Sequence, residues 1–192
     1  MKQKILSLIL SLFLLASLTA STSSTMTTWA PAEVVCPICK HKNTFMQIMS
    51  YGSYIYEWPS KFQYIYWPLT DSPVLYSCAK CHYTAFMWDY NDGAKNKEDA
   101  IRKMLESLKF EGTYAKYTDI PMSQRLAIAE KVYQLLDRDD EWWCQFERVK
   151  GYHFAAEKKQ EEADGARRKA LSLAEKMLNQ KGAGPSQKEL YL

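Results

Sequence analysis

Histidine is nearly missing from this sequence, with three residues in 192, and no familiar catalytic signature takes its place. The chain has no G-x-S-x-G turn, no H-E-x-x-H helix, no glycine-rich phosphate loop and no histidine–carboxylate cluster. Charge of one sign is lacking as well: 25 Lys and Arg stand against 22 Asp and Glu, a formal +3. Loss of Lys2 and Lys4 with the N-terminal segment discussed below would lower that by two. A near-neutral chain lacks the electrostatic footprint of a nucleic-acid binder, so no nucleic-acid partner is expected. The basic cluster Arg167, Arg168 and Lys169 is preceded by Glu157, Glu161, Glu162 and Asp164, which makes it part of a solvated, charge-balanced helical face.

Long apolar runs are also lacking. The stretch from Ile5 to Leu18 is broken by serines and falls short of the roughly 20 residues a membrane helix needs. It follows Lys2 and Lys4, precedes small residues from Thr19 to Thr25, and no acid occurs before Glu33. That order predicts a secretory signal peptide over residues 1–24, an exported protein of the periplasm or extracellular space, and no stable membrane span once the signal is removed. Cutting after Ala20 puts Leu18 at the −3 position, a poor fit, so an uncleaved signal anchor that tethers the chain to the membrane is the alternative. No cysteine lies near the cut, which argues against a lipoprotein.

What remains has the composition of a folded globular protein, 47% hydrophobic and 24% charged, on a chain long enough to bury a sizeable core. The Ser/Thr-rich approach, residues 25–33, reads as a flexible lead-in. Residues 34–92 are rich in Tyr, Phe, Trp, Ile and Val and punctuated by Pro and Gly, which predicts strands over Thr44 to Tyr51, Lys61 to Trp67 and Val74 to Cys78. After Asn91-Asp92-Gly93 the period changes. Ala100, Ile101, Met104, Leu105 and Leu108 recur at helical spacing, and Met122, Leu126, Ala129, Tyr133 and Leu136 line a second helix with Asp119 as its N-cap. Trp142, Phe146, Val149, His153 and Ala156 give a third stripe, and Ala170, Leu173, Ala174, Met177 and Leu178 a fourth. These last two helices, joined near Glu162 to Gly165, form an antiparallel hairpin with small residues at Gly151, Ala155, Ala170 and Ala174, a tetratricopeptide-like texture in one unit. The fold class is therefore α+β: a small β-rich, zinc-ribbon-like domain over 34–92, then a bundle of about four helices over 93–180. Residues 181–192 form a loose tail.

Five cysteines occur, four of them as Cys36-x2-Cys39 and Cys78-x2-Cys81. Two thiolates two residues apart can bind one ion from a tight turn, and two such knuckles complete the tetrahedral set that zinc requires. Lys40, Lys42 and Lys80 lie near enough in sequence to offset the charge of a four-thiolate site. Export adds two further readings. An oxidising compartment favours disulfides, and four cysteines allow three pairings. Cys78-Ala79-Lys80-Cys81-His82 is also the C-x-x-C-H string that attaches haem c, with His82 as proximal ligand and Met87 or Met104 as a distal one. A thiol–disulfide oxidoreductase is a fourth reading, although neither pair sits in a βαβ pattern. Cys144, beside Trp142 and Trp143 on a helix, is expected as a buried small hydrophobe. His41 and His153 have no partner at metal spacing.

Val35-Cys36-Pro37-Ile38-Cys39 and the run from Ser72 to Phe86 around the second knuckle resemble the bacterial family catalogued as domain of unknown function 2225, over about Val34 to Asn179. That family pairs a zinc-ribbon-like cysteine domain with a tetratricopeptide-like helical half. The resemblance implies that the four cysteines are metal ligands and implies no catalytic residues. The sequence departs from the pattern at His82, where such knuckles usually carry glycine, and at Ala79, in place of proline.

Between the knuckles, eight aromatics fall within seventeen residues, Tyr51 to Trp67. Tyr54, Tyr56, Trp58, Tyr64, Tyr66 and Trp67 offer a stacking surface for a protein or glycan partner. Packing as a hairpin face is the alternative use of the same residues. The combined expectation is an exported zinc-binding protein that acts as a non-enzymatic binding or scaffolding module of the cell envelope.

Overall fold

A computed structural model describes residues 27–51, 68–110 and 112–179. The signal peptide, the start of the lead-in, the expected strand at Lys61 to Trp67, the six aromatics Tyr54, Tyr56, Trp58, Tyr64, Tyr66 and Trp67, and the tail lie outside the described residues.

Two antiparallel hairpins come first. Strand β1 (Thr27–Val35) pairs with β2 (Lys42–Tyr51), in a register that ends at Val35 opposite Lys42 and carries a bulge at Thr28/Trp29. Strand β3 (Leu75–Ser77) pairs with β4 (Thr84–Phe86), with Ser77 opposite Thr84. Four helices follow: α1 (Glu98–Glu106), α2 (Met122–Tyr133), α3 (Asp140–Ala156) and α4 (Gln160–Leu178). The class is α+β, as the change of period at Gly93 predicts.

Three expectations need correction. Residues 27–33 are not a flexible lead-in but most of β1, despite Pro31. Pro31 stands opposite Met46, whose N–H and C=O are engaged elsewhere, by the Tyr117 hydroxyl (3.1 Å) and the Tyr76 hydroxyl (3.1 Å). A proline that faces a non-hydrogen-bonded position of an edge strand costs no ladder bond. Asp119 does not cap α2. Its carboxylate accepts the Lys116 N–H (3.1 Å) and closes a separate 3-10 turn, Tyr117–Asp119, and Pro121 takes the cap position. The turn of the helical hairpin lies at residues 157–159, with Lys158 at φ 62°, so Gly165 stands inside α4. The glycine that matters is Gly151, where a Cβ would come within 2.9 Å of Arg167 Cγ and 3.4 Å of the Ala163 carbonyl oxygen. Close approach of α3 and α4 requires it.

One core runs through both halves, from Cys36, Ile38 and Phe45 by way of Tyr76 and Tyr90 to Leu126, Phe146 and Val149. The switch at residue 93 is thus a change of secondary structure and not a break in the packing. Its N-terminal part is aromatic: Phe45 stacks on Tyr76 (centroids 4.2 Å) and meets Tyr90 (5.1 Å) and Tyr117 (4.9 Å) edge-on. Cys144 is buried as expected, in a smaller cluster with Ala170 and Ala174. His153 is buried too, with Nε2 3.1 Å from the Leu69 carbonyl oxygen, and burial lowers its pKa.

Tyr133 couples α2 to β4. Its hydroxyl accepts the Phe86 N–H (2.9 Å) and donates to Asp89 Oδ2 (2.9 Å). Tyr133→Phe leaves that buried N–H unpaired and is expected to lower stability by about 1–3 kcal/mol. Urea unfolding checks it, and a midpoint equal to wild type would show the bond to be dispensable.

Candidate metal centre

Each cysteine pair occupies the six-residue turn of one hairpin, Cys36–His41 between β1 and β2 and Cys78–Tyr83 between β3 and β4. The two turns repeat one set of bonds. Cys36 N–H donates to the His41 carbonyl (2.8 Å) and Cys78 N–H to that of Tyr83 (2.9 Å). Lys40 N–H donates to the Cys36 carbonyl (3.0 Å) and His82 N–H to that of Cys78 (3.0 Å). Lys40 and His82, the fifth residue of each turn, are both left-handed, at φ 60° and 59°. That conformation favours glycine, and here a lysine and a histidine hold it. Its ring stacks on Phe110 with centroids 3.7 Å apart.

The turns face each other and bring all four sulfurs within 4.8 Å of one another. The shortest contacts cross between knuckles, Cys36 Sγ to Cys81 Sγ and Cys39 Sγ to Cys78 Sγ, both 3.6 Å. With zinc–sulfur bonds of about 2.3 Å, a regular tetrahedron has edges of about 3.8 Å. Donor type, number and spacing therefore fit one tetrahedral ion. Cys36 and Cys78, the first cysteine of each turn, are wholly buried, whereas Cys39 and Cys81 are half-buried.

Without a cation such a cluster cannot ionise together. Hydrogen bonds from Cys36 and then Cys81 hold the Cys78 thiol well below its ordinary range, while contact with Cys78 pushes Cys36 up to about 11 and contact with Cys36 raises Cys81. One negative charge excludes the next. A divalent cation removes that exclusion, because coordination deprotonates each thiol.

Two residues outside the cysteine strings reach the cluster with no signal in the cysteine spacing. Asn43, buried at the start of β2, accepts the Ala79 N–H on Oδ1 (3.0 Å) and directs Nδ2 at Cys78 Sγ (3.6 Å), so it links both turns. The Lys80 N–H adds a second donor to Cys78 Sγ (3.4 Å). Arg102 on α1 donates from Nη2 to the Ile38 carbonyl (3.1 Å). An asparagine opening a strand is the one hint the sequence offers, since Asn is a poor strand former. Two of the three lysines expected to offset the charge are otherwise engaged: Lys40 Nζ donates to the Pro37 carbonyl (2.8 Å) and Lys42 pairs with Glu33 (2.9 Å). Backbone and amide N–H groups supply the nearer positive potential. Asn43→Ala is expected to weaken metal binding 10- to 100-fold, the usual range for a group that orients a ligand. Competition with a chromophoric chelator measures it, and unchanged affinity would assign Asn43 a packing role alone.

Away from the cysteines, a cavity of about 340 Å³ opens between Leu69, Phe86, Trp88, Trp142 and Phe146, with Trp88 more than half exposed on its rim. Among the described residues no helix is long and apolar enough to cross a membrane. No family model matches this chain, and neither a curated protein nor a solved structure is significantly similar to it.

Proposed function

We propose that Cys36, Cys39, Cys78 and Cys81 hold one structural zinc ion, and that the chain is an exported, non-enzymatic binding or scaffolding module of the cell envelope. The observation that carries the metal reading is the convergence of four sulfurs from two matching turns to within 4.8 Å. A closed set of four protein ligands leaves no open position for water or substrate, which marks a structural and not a catalytic zinc site. Haem attachment through Cys78 and Cys81 would need both sulfurs turned toward a porphyrin. Here each lies 3.6 Å from a cysteine of the other turn, and the His82 ring packs on Phe110, which favours the ion. The same short contacts pair Cys36 with Cys81 and Cys39 with Cys78 if the cluster is oxidised to disulfides.

Export rests on the basic, apolar and small-residue order of residues 1–24. The binding role rests on the aromatic residues 54–67, offered to a protein or glycan, and on the resemblance to the domain of unknown function 2225 family. Elemental analysis and an absorption spectrum of protein exported by its own signal test the metal reading. About one zinc per chain with no visible band is the expected result. Iron with a Soret band would replace it by a mono-haem cytochrome, and no metal with no free thiol at these four positions would replace it by two disulfides.

A further inference from the structure

Trp142, Gln145, Phe146 and Val149 share one face of α3, at i, i+3, i+4 and i+7. With Leu69, Phe86 and Trp88 they line the cavity of about 340 Å³, which no residue of either cysteine turn reaches. Its aromatic wall is held in place. Trp142 stacks on Phe146 with centroids 5.0 Å apart, and Phe86 meets Phe146 at 6.0 Å and Trp142 at 6.4 Å, both edge-on. Tyr133 packs on Trp142 at 4.3 Å, and the Arg138 guanidinium lies 5.3 Å from the same ring. Rings fixed on several sides do not swing in to fill the space, so the cavity is preformed.

The rim differs from the wall. Trp88 is 55% exposed, and among the described residues no ring packs against it. The polar groups of the lining narrow the chemistry of an occupant. Asp89 is the one charged residue there, and both of its oxygens are engaged. Arg138 Nη2 pairs with Oδ1 (3.0 Å) and the Tyr133 hydroxyl donates to Oδ2 (2.9 Å). The carboxylate is thus already neutralised, and a charged occupant would be desolvated without a free counter-charge. Gln145 is half-buried, and its side-chain amide makes no hydrogen bond to another described residue. That leaves one donor group and one acceptor free at the apolar wall. The volume stands near the lower end of ligand cavities, about 300–1,000 Å³, which suits one or two rings and not an extended chain.

We propose that this cavity binds a small neutral aromatic molecule, of one or two rings, that carries an amide or hydroxyl group. The rings enter between Trp88 and the wall of Phe86, Trp142 and Phe146, and the polar substituent meets the Gln145 amide. Ring contact covers the Trp88 indole, which the empty cavity leaves in water. The site is separate from the cysteine turns and stands whatever the four cysteines hold.

The test uses the full chain labelled with fluorotryptophan, whose fluorine resonances report on Trp88 and Trp142. It is titrated with naphthamide, with its anionic relative naphthoate and with the cationic naphthylmethylammonium. Naphthamide should shift both resonances saturably, with a Kd on the order of 0.1–1 mM. Both charged relatives should bind at least about tenfold more weakly. Trp88→Ala removes an exposed side chain, so it should keep the wild-type circular dichroism and bind naphthamide about tenfold more weakly, read at Trp142. Gln145→Leu should lose about fivefold. No saturable shift, equal binding of a charged relative, or wild-type affinity in either variant would each overturn the proposal. Tighter binding of a blocked Gly-Trp-Gly peptide than of naphthamide would overturn it in favour of an aromatic side chain of a partner polypeptide.

Discussion

Cys78→Ser is expected to strip the protein of its metal and lower its stability by several kcal/mol. Cys78 receives more of the surrounding structure than any of its three partners. Its sulfur takes Asn43 Nδ2 and the Lys80 N–H, and its main chain closes the second turn through Tyr83 and His82. A serine hydroxyl is a poor zinc ligand, and the three remaining thiols revert to the situation in which one charge excludes the next. Structural zinc contributes on the order of 10 kcal/mol in peptides that have no other core. Here Phe45, Tyr76, Tyr90 and the helices share the load, so the expected loss is smaller, on the order of 5 kcal/mol. Melting with and without a chelator separates the causes. Wild type should lose stability on chelation, whereas Cys78→Ser should melt at the chelated wild-type temperature in both conditions. Cys144→Ala, at the buried contact with α4, should leave metal content unchanged. A Cys78→Ser variant that kept one zinc and the wild-type response would remove the structural role assigned to the cluster.

Arg125→Ala is the second large effect, expected at about 3–5 kcal/mol with the metal site intact. Arg125 is 1% exposed, on the face of α2 turned to the hairpins. Its guanidinium donates to the carbonyls of Ile120 (3.1 Å), Ser72 (2.7 Å) and Leu75 (2.9 Å) and to the Ser72 hydroxyl (2.7 Å). Burial lowers its pKa to about 10, so it is still cationic at neutral pH. Among the described residues no carboxylate pairs with it directly, and the buried charge is satisfied by carbonyl dipoles instead. Truncation strands three carbonyls and frees the segment that leads into β3, the strand that carries the second knuckle. Guanidinium chloride unfolding gives the loss, and elemental analysis of the folded fraction gives the metal. A loss below 1 kcal/mol would mean water replaces the guanidinium, and a loss of zinc would mean the clamp holds the knuckle itself.

The helical stripes and the two cysteine turns were legible because each rests on a local rule. A period of 3.6 places Leu126, Ala129 and Tyr133 on one buried face, and C-x-x-C places two sulfurs on one turn. What escaped was decided at long range. Strand β1 is held by β2, not by the strand propensity of Ala30-Pro31-Ala32. The α3–α4 turn falls at Lys158, a left-handed lysine no propensity rule selects, while Gly165, the better turn former, packs into a helix. Asn43 and Arg102 reach the two cysteine turns from β2 and from α1, at separations in sequence that only the folded chain brings together. The aromatics from Tyr54 to Trp67 belong to the part of the account that rests on sequence alone.

X-ray absorption at the zinc edge, on the chain purified with no metal added, tests the central claim most directly. Four sulfur scatterers at about 2.3 Å and no nitrogen or oxygen shell are predicted. A mixed shell with histidine nitrogen or water would contradict the closed four-cysteine site, and protein that carries no zinc at all would contradict the metal centre itself.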